Sequence, residues 1–176
     1  MPMRKKKIML AIDAVIVLVL VALDQFTKYL AITNLKNGPA LSLIDGMLEL
    51  DYLENRGSAF GMLENQKFFI LFVGAVFMAV ILLLLLKLPE ADKFRPVHIL
   101  LSGILAGGLG NMIDRCRYDY VVDFISFVLI HFPVFNVADC YIVVSTIVLF
   151  ILFLFVYKEK DLEFLSFKQN RYREMK

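Results

Sequence analysis

The chain is poor in the side chains on which most hydrolytic and redox chemistry depends. Of 176 residues only two are cysteine and two are histidine. His98 and His131 lie far apart and show no His-Glu-x-x-His spacing, which argues against a zinc peptidase and leaves no metal site to propose. Ser102-Gly103 lacks both a Gly-x-Ser-x-Gly frame and a neighbouring base, so a serine nucleophile has no support. Cys116 and Cys140 have no base beside them to make a thiolate; an outer disulfide is one reading, and two buried free thiols is the one adopted here. An excess of one charge is also missing. The formal net charge is +2, and the basic residues gather at the N-terminus, in one loop and in the tail rather than along a stripe, which excludes nucleic acid as a partner.

Apolar residues, in contrast, are abundant. They make up 60% of the chain and give a mean hydropathy of +0.72, far above a soluble domain and enough for about four spans of ~20 residues. Four segments predict membrane helices: residues 8–32, 67–87, 97–114 and 137–158. The second carries no charge inside its ends. The third holds Gly103, Gly107, Gly108 and Gly110, small residues that let a neighbouring backbone come close. Pro89 and Pro96 bracket the loop 88–96, and Pro133 precedes the last helix. Arg4-Lys5-Lys6-Lys7 before an apolar run resembles the start of a signal peptide, but no small-x-small cleavage site follows before Asp24, so a retained anchor is expected. Lysine and arginine counts at the N-terminus, the 88–96 loop and the 159–176 tail predict that all three are cytoplasmic. The tail itself is charged and reads as a solvated or headgroup-binding end.

The expected fold is therefore an all-α integral membrane bundle of one domain, with two outer segments at 40–60 and 115–136. In the first, Leu48, Leu50 and Tyr52 alternate with Glu49 and Asp51 after the turn dipeptide Asp45-Gly46, which predicts a short β-hairpin. In the second, residues 121–132 are apolar but too short to span, so an interfacial or re-entrant segment is expected, with Phe124, Phe127, Phe132 and Phe135 turned towards lipid or substrate.

In that second outer region and at the start of the last span the chemistry concentrates. Asp123, in Val121-Val122-Asp123-Phe124, and Asp139, in Phe135-Asn136-Val137-Ala138-Asp139, are carboxylates in apolar company, expensive to ionise and usually functional. Asn136 reads as a helix N-cap that places Asp139 in the first turn, where the helix dipole favours its charge. Asp123 among Val, Val, Phe and Ile favours its protonated form. Two such groups within a few ångströms share a proton, so that one activates water while the other protonates a departing group. A plain cap at Asp139, and an ion pair of Asp123 with Arg115 or Arg117, are the structural alternatives. Asp24 and Lys28 share a helical face and suit a structural pair. Asn111, Asp114 and Arg115 share a face at the outer end of the third helix, placed to brace the segment carrying Asp123, and Asn55 follows the hairpin.

The motifs resemble the lipoprotein signal peptidases, signal peptidase II, of bacteria. Leu23-Asp24-Gln25-Phe26-Thr27-Lys28 is similar to the first family motif, Glu54-Asn55-Arg56-Gly57-Ser58-Ala59-Phe60 to the second, and the run from Gly107 through Gly110-Asn111-Met112-Ile113-Asp114-Arg115 to the third. The segments around Asp123 and Asp139 match the two that carry the catalytic aspartates. Ser58 stands where the family usually has Ala, and Cys140 where Ser is common; neither removes a catalytic group. The resemblance implies four transmembrane helices with an outer β-cradle and an aspartyl endopeptidase that cuts prolipoproteins just before a lipid-modified cysteine. It implies Asp123 and Asp139 as the dyad, with Asn55, Gly57, Asn111, Asp114, Arg115, Asn136, Ala138, Asp24 and Lys28 lining or supporting the site. No metal or organic cofactor is implied, the antibiotic globomycin is the expected inhibitor, membrane lipids surround the protein, and a monomer is expected. Two other classes compete. A proton or ion relay would place acids at several depths, whereas all but Asp13 lie near one end; a non-catalytic assembly subunit would tolerate loss of Asp123 or Asp139.

Overall fold

The computed structural model describes residues 2–57 and 66–165. Ser58, Ala59 and Phe60 of the second motif, and the tail from residue 166 onward, lie outside the described residues. Four long helices, α1 (Pro2–Asn34), α2 (Lys67–Lys87), α3 (Arg95–Tyr118) and α4 (Val137–Phe155), carry the fold, and each is long and apolar enough to cross a membrane. Three strands, β1 (Leu41–Ile44), β2 (Leu48–Asn55) and β3 (Val121–Phe127), form one antiparallel sheet in the order β1-β2-β3. The chain is thus mostly helical with a small sheet at one end.

The four helices are unequal. Half of the most apolar window of α3 is buried, against 11 to 17% in the other three, so α3 is the central post and α1, α2 and α4 pack around it. The glycines explain why it can be. A Cβ on Gly107 would meet the carbonyl oxygen of Ala138 and, at 2.7 Å, Ile142 of α4; one on Gly103 would meet Ser145 Oγ at 2.6 Å; one on Gly110 would meet the Asp24 carboxylate of α1. Close backbone approach is therefore built into two faces of α3. Large apolar side chains of α1, α2 and α4, among them Leu18, Phe72, Leu83 and Phe150, are left facing outward, as lipid-facing helices require.

The predicted hairpin is present. Gly46 sits at φ +67 in the turn between β1 and β2, a conformation that favours glycine. The segment read as interfacial or re-entrant is a third strand, β3, paired along β2 with Asn55 opposite Val121 and Leu53 opposite Asp123. β-Branched and aromatic residues fit a pleat buried on both faces, which explains a run apolar throughout rather than alternating. Val122 and Phe124 pack with Ala31 and Tyr120 over the C-terminal end of α1, while Val121, Asp123 and Phe127 line the cavity on the opposite face. Phe124 is thus a core residue, not one turned towards lipid or substrate. A 3-10 turn at Val128–Ile130 follows, and the chain returns so that Phe135 pairs with Ile125. That return sets the start of α4 beside β3. Both cysteines are free, but neither is fully buried: Cys116, in the last turns of α3, is exposed, and Cys140, in the first turn of α4, is half-buried.

Candidate active site

α4 begins in the middle of the molecule's polar groups. Asn136 caps it: its side-chain oxygen accepts from the Asp139 N–H at 3.0 Å, and the Asp139 carboxylate accepts from the Asn136 N–H at 3.2 Å. The predicted cap is real, but it does not exhaust either residue. The Asn136 amide donates 2.6 Å to Asp123 Oδ1 and 3.1 Å to Asn111 Oδ1, and Asn111 donates 2.8 Å to Asp139 Oδ1. Asn55, at the end of β2, donates 2.8 Å to the other oxygen of Asp123. Two carboxylates from different elements are therefore held on one wall by three amides, and Asp123 pairs with amides rather than with Arg115 or Arg117.

Both acids open onto a cavity of about 670 Å³. One wall is polar, with Asn55, Asn111 and Arg115 beside the two aspartates; the other is apolar, with Phe127, Phe132, Phe135 and Val143 among its residues. Asp123 is almost fully buried, at 1% exposure. Burial pushes its carboxyl up to about 6, the neighbouring Asp139 adds to the rise, and the amides of Asn55 and Asn136 oppose it. A carboxyl poised there still carries its proton about half of the time near pH 6, where an ordinary aspartate has lost it.

Beneath this wall lies a second set of charges. Lys28 of α1 is buried between two carboxylates, 3.0 Å from Asp24 and 2.9 Å from Asp114, and donates 2.9 Å to Asn111 Oδ1. The carboxylates reach onward: Asp24 accepts from the Ala138 N–H at 3.1 Å, and Asp114 from the Val122 N–H at 3.2 Å. Lys28 thus sits under a network that grips α4 one residue before Asp139 and β3 one residue before Asp123.

The family described as Signal peptidase (SPase) II matches residues 16–155, which takes in all of these groups. The chain belongs to the signal peptidase II family. Among its relatives, a lipoprotein signal peptidase of Caldanaerobacter subterraneus subsp. tengcongensis is 46% identical over 142 residues, covering 80% of this chain and 94% of that protein. One from Brevibacillus brevis is 42% identical over 127 residues, covering 72% and 84%. A bacterial membrane enzyme solved by the in meso method at 2.3 Å is similar in fold, with 28% identity, a TM-score of 0.75 and coverage of 85% of this chain and 93% of that one. As a signal peptidase II the chain is a peptide hydrolase, and its four apolar helices make it a multi-pass membrane protein, bacterial as its relatives are.

In this signal peptidase II the remaining motif residues fall close by. Arg115 donates 2.9 Å to the Gly57 carbonyl, and the Gly57 N–H donates 3.1 Å to Asn55, so the second motif folds back on the third. One residue escaped notice in the sequence. Gln25 donates to Asp114 at 2.8 Å, to Asp24 at 3.2 Å and to the Gly110 carbonyl at 3.3 Å, closing the network between α1 and α3. Its only sequence signal is an amide beside Asp24 in an apolar helix.

Proposed function

We propose that this signal peptidase II is an aspartyl endopeptidase acting through Asp123 and Asp139, and that it removes the signal peptide from diacylglyceryl-modified prolipoproteins by cutting just before the lipid-modified cysteine. What supports this reading above all is the pair of carboxylates tied by Asn136, Asn111 and Asn55 to one wall of a half-apolar cavity. Asp139 takes a proton from water as the water oxygen attacks the scissile carbonyl carbon, and Asp123 gives its proton to the carbonyl oxygen. The tetrahedral intermediate then collapses: the C–N bond breaks, Asp139 passes its proton to the departing amine of the cysteine, and the carbonyl re-forms as Asp123 recovers its own. Asn55, Asn111, Asn136 and Ala138 fix the dyad; Asp24, Lys28 and Asp114 hold the backbone that carries it; Arg115 and Gly57 shape the rim. The apolar wall suits the lipid-bearing part of such a substrate, and the sheet acts as a cradle beside it. In this reading the chain is a single membrane domain, monomeric, in the bacterial cytoplasmic membrane, with both termini cytoplasmic and the dyad on the outer side.

The test is cleavage of a diacylglyceryl-modified prolipoprotein peptide by the purified protein and its Asp123→Asn and Asp139→Asn variants. The wild type is expected to cut and to be inhibited by globomycin, and each variant to lose about a thousandfold or more in rate. Near-normal cleavage by either variant would sink the two-acid mechanism and return the relay or assembly reading.

A further inference from the structure

Far from the dyad, at the opposite end of α1 and α3, lies a second cavity of about 440 Å³. Its wall runs from Lys5 to Ile16 along α1, a distance of about 16 Å at helical rise, and continues over the start of α3 at Arg95, His98 and Ile99. Ile8, Ile12, Ile16 and Ile99 make it apolar along its length. Lys5, Arg95, Glu90 and Asp92 make its mouth charged, and Asp13 holds His98 deeper in, at 2.7 Å. Arg95 is already paired with Asp92 at 2.8 Å. Among the described residues Lys5 and Glu90 have no ion-pair partner. Asp13 leaves its Oδ1 without a hydrogen-bond partner.

A charged mouth above an apolar channel of that length matches an amphiphile. The charges narrow the choice. Two cations face three carboxylates, so the cavity is formally net negative and disfavours a purely anionic headgroup. One free cation and one free carboxylate lining the same cavity complement a headgroup that carries both signs. We propose that this cavity binds a membrane lipid whose headgroup bears a phosphate and a primary ammonium, the phosphate against Lys5, the ammonium against Glu90, and an acyl chain along the isoleucines between α1 and α3.

The experiment is native mass spectrometry of the full chain in detergent, titrated with dioleoyl phosphatidylethanolamine, phosphatidylcholine and phosphatidylglycerol, and with glycerophosphoethanolamine as the headgroup without chains. The ethanolamine lipid is expected to be retained about tenfold more than the other two, since neither of those offers an N–H donor to the carboxylates, and the chainless headgroup is expected to compete poorly. Glu90→Gln is expected to remove that preference, and Lys5→Gln to weaken retention of the ethanolamine and choline lipids alike. Cleavage should be unchanged in both variants, because neither residue is part of the dyad or its supports. Equal retention of all three lipids, or an unchanged preference in Glu90→Gln, overturns the proposal.

Discussion

Lys28 illustrates how a single side chain is used against its own solvation preference. It is 2% exposed, and taking an ammonium out of water is tolerated here because Asp24, Asp114 and Asn111 surround it. Lys28→Met leaves two buried carboxylates facing each other, and a loss of about 3–5 kcal/mol in unfolding stability is expected. Denaturation in detergent measures it, and adding Asp114→Asn should restore part of the loss. Asp123 obeys the same physics with the opposite outcome: burial raises its carboxyl, and the amides of Asn55 and Asn136, in place of a bonded cation, only partly oppose that rise. Its folded value, about 6, lies above that of an ordinary aspartate, so the protonated form is favoured by the fold. Two signs follow. Folding stability declines as pH rises from the ordinary carboxyl range towards about 6 and levels off above it. In the proposed mechanism kcat/KM falls as pH rises past about 6, since the proton on Asp123 is then lost. Asn55→Ala removes a donor that favours the ionised form, so the falling limb of the pH profile should move to higher pH. A limb that stays in place while the rate drops would assign Asn55 a purely structural part.

The elements meet through what their surfaces lack. α3 presents glycine to both α1 and α4, and the atoms facing Gly107 belong to α4's first turns, including a backbone carbonyl that has no rotamer with which to move aside. Gly107→Ala is therefore expected to cost about 1–3 kcal/mol and, because it pushes on Ala138, to reduce cleavage as well. Gly108→Ala is the control. Its Cβ would meet only the Met78 thioether of α2 at 3.2 Å, a flexible side chain that can turn away, so stability and activity should stay near wild type. Thermal unfolding of the two variants side by side separates a packing requirement from a general dislike of Cβ atoms on α3. The N-terminus of α4 shows the other kind of junction, in which the capping residue Asn136 also ties α4 to β3 and α3.

At the scale of the whole molecule, the charged groups divide between two ends: Asp123 and Asp139, the network beneath them and the sheet at one, and Lys5, Glu90, Arg95 and the Asp13–His98 pair at the other. The proposed orientation predicts sidedness. In a Cys116→Ser, Cys140→Ser background, Ser42→Cys in β1 should react with a membrane-impermeant thiol reagent added to intact cells, and Lys93→Cys should react only after lysis; the reverse pattern would invert the topology. Four spans, the hairpin, the cap at Asn136 and the suspicion attached to Asp123 and Asp139 were all legible in the chain, because each follows from local rules: length of an apolar run, alternation, a turn dipeptide, a polar group in apolar company. β3 was not, since a strand buried on both faces shows no alternation to distinguish it from any other short apolar run. Nor was the part played by Gln25, or the partner of Asp13, which is His98, 85 residues away on another helix. The sequence by itself determined which residues are costly to bury and therefore have to find partners. Only the tertiary structure decided which partners, because hydrogen bonds and ion pairs between α1, α3, β3 and α4 depend on how close the glycines of α3 let those elements come.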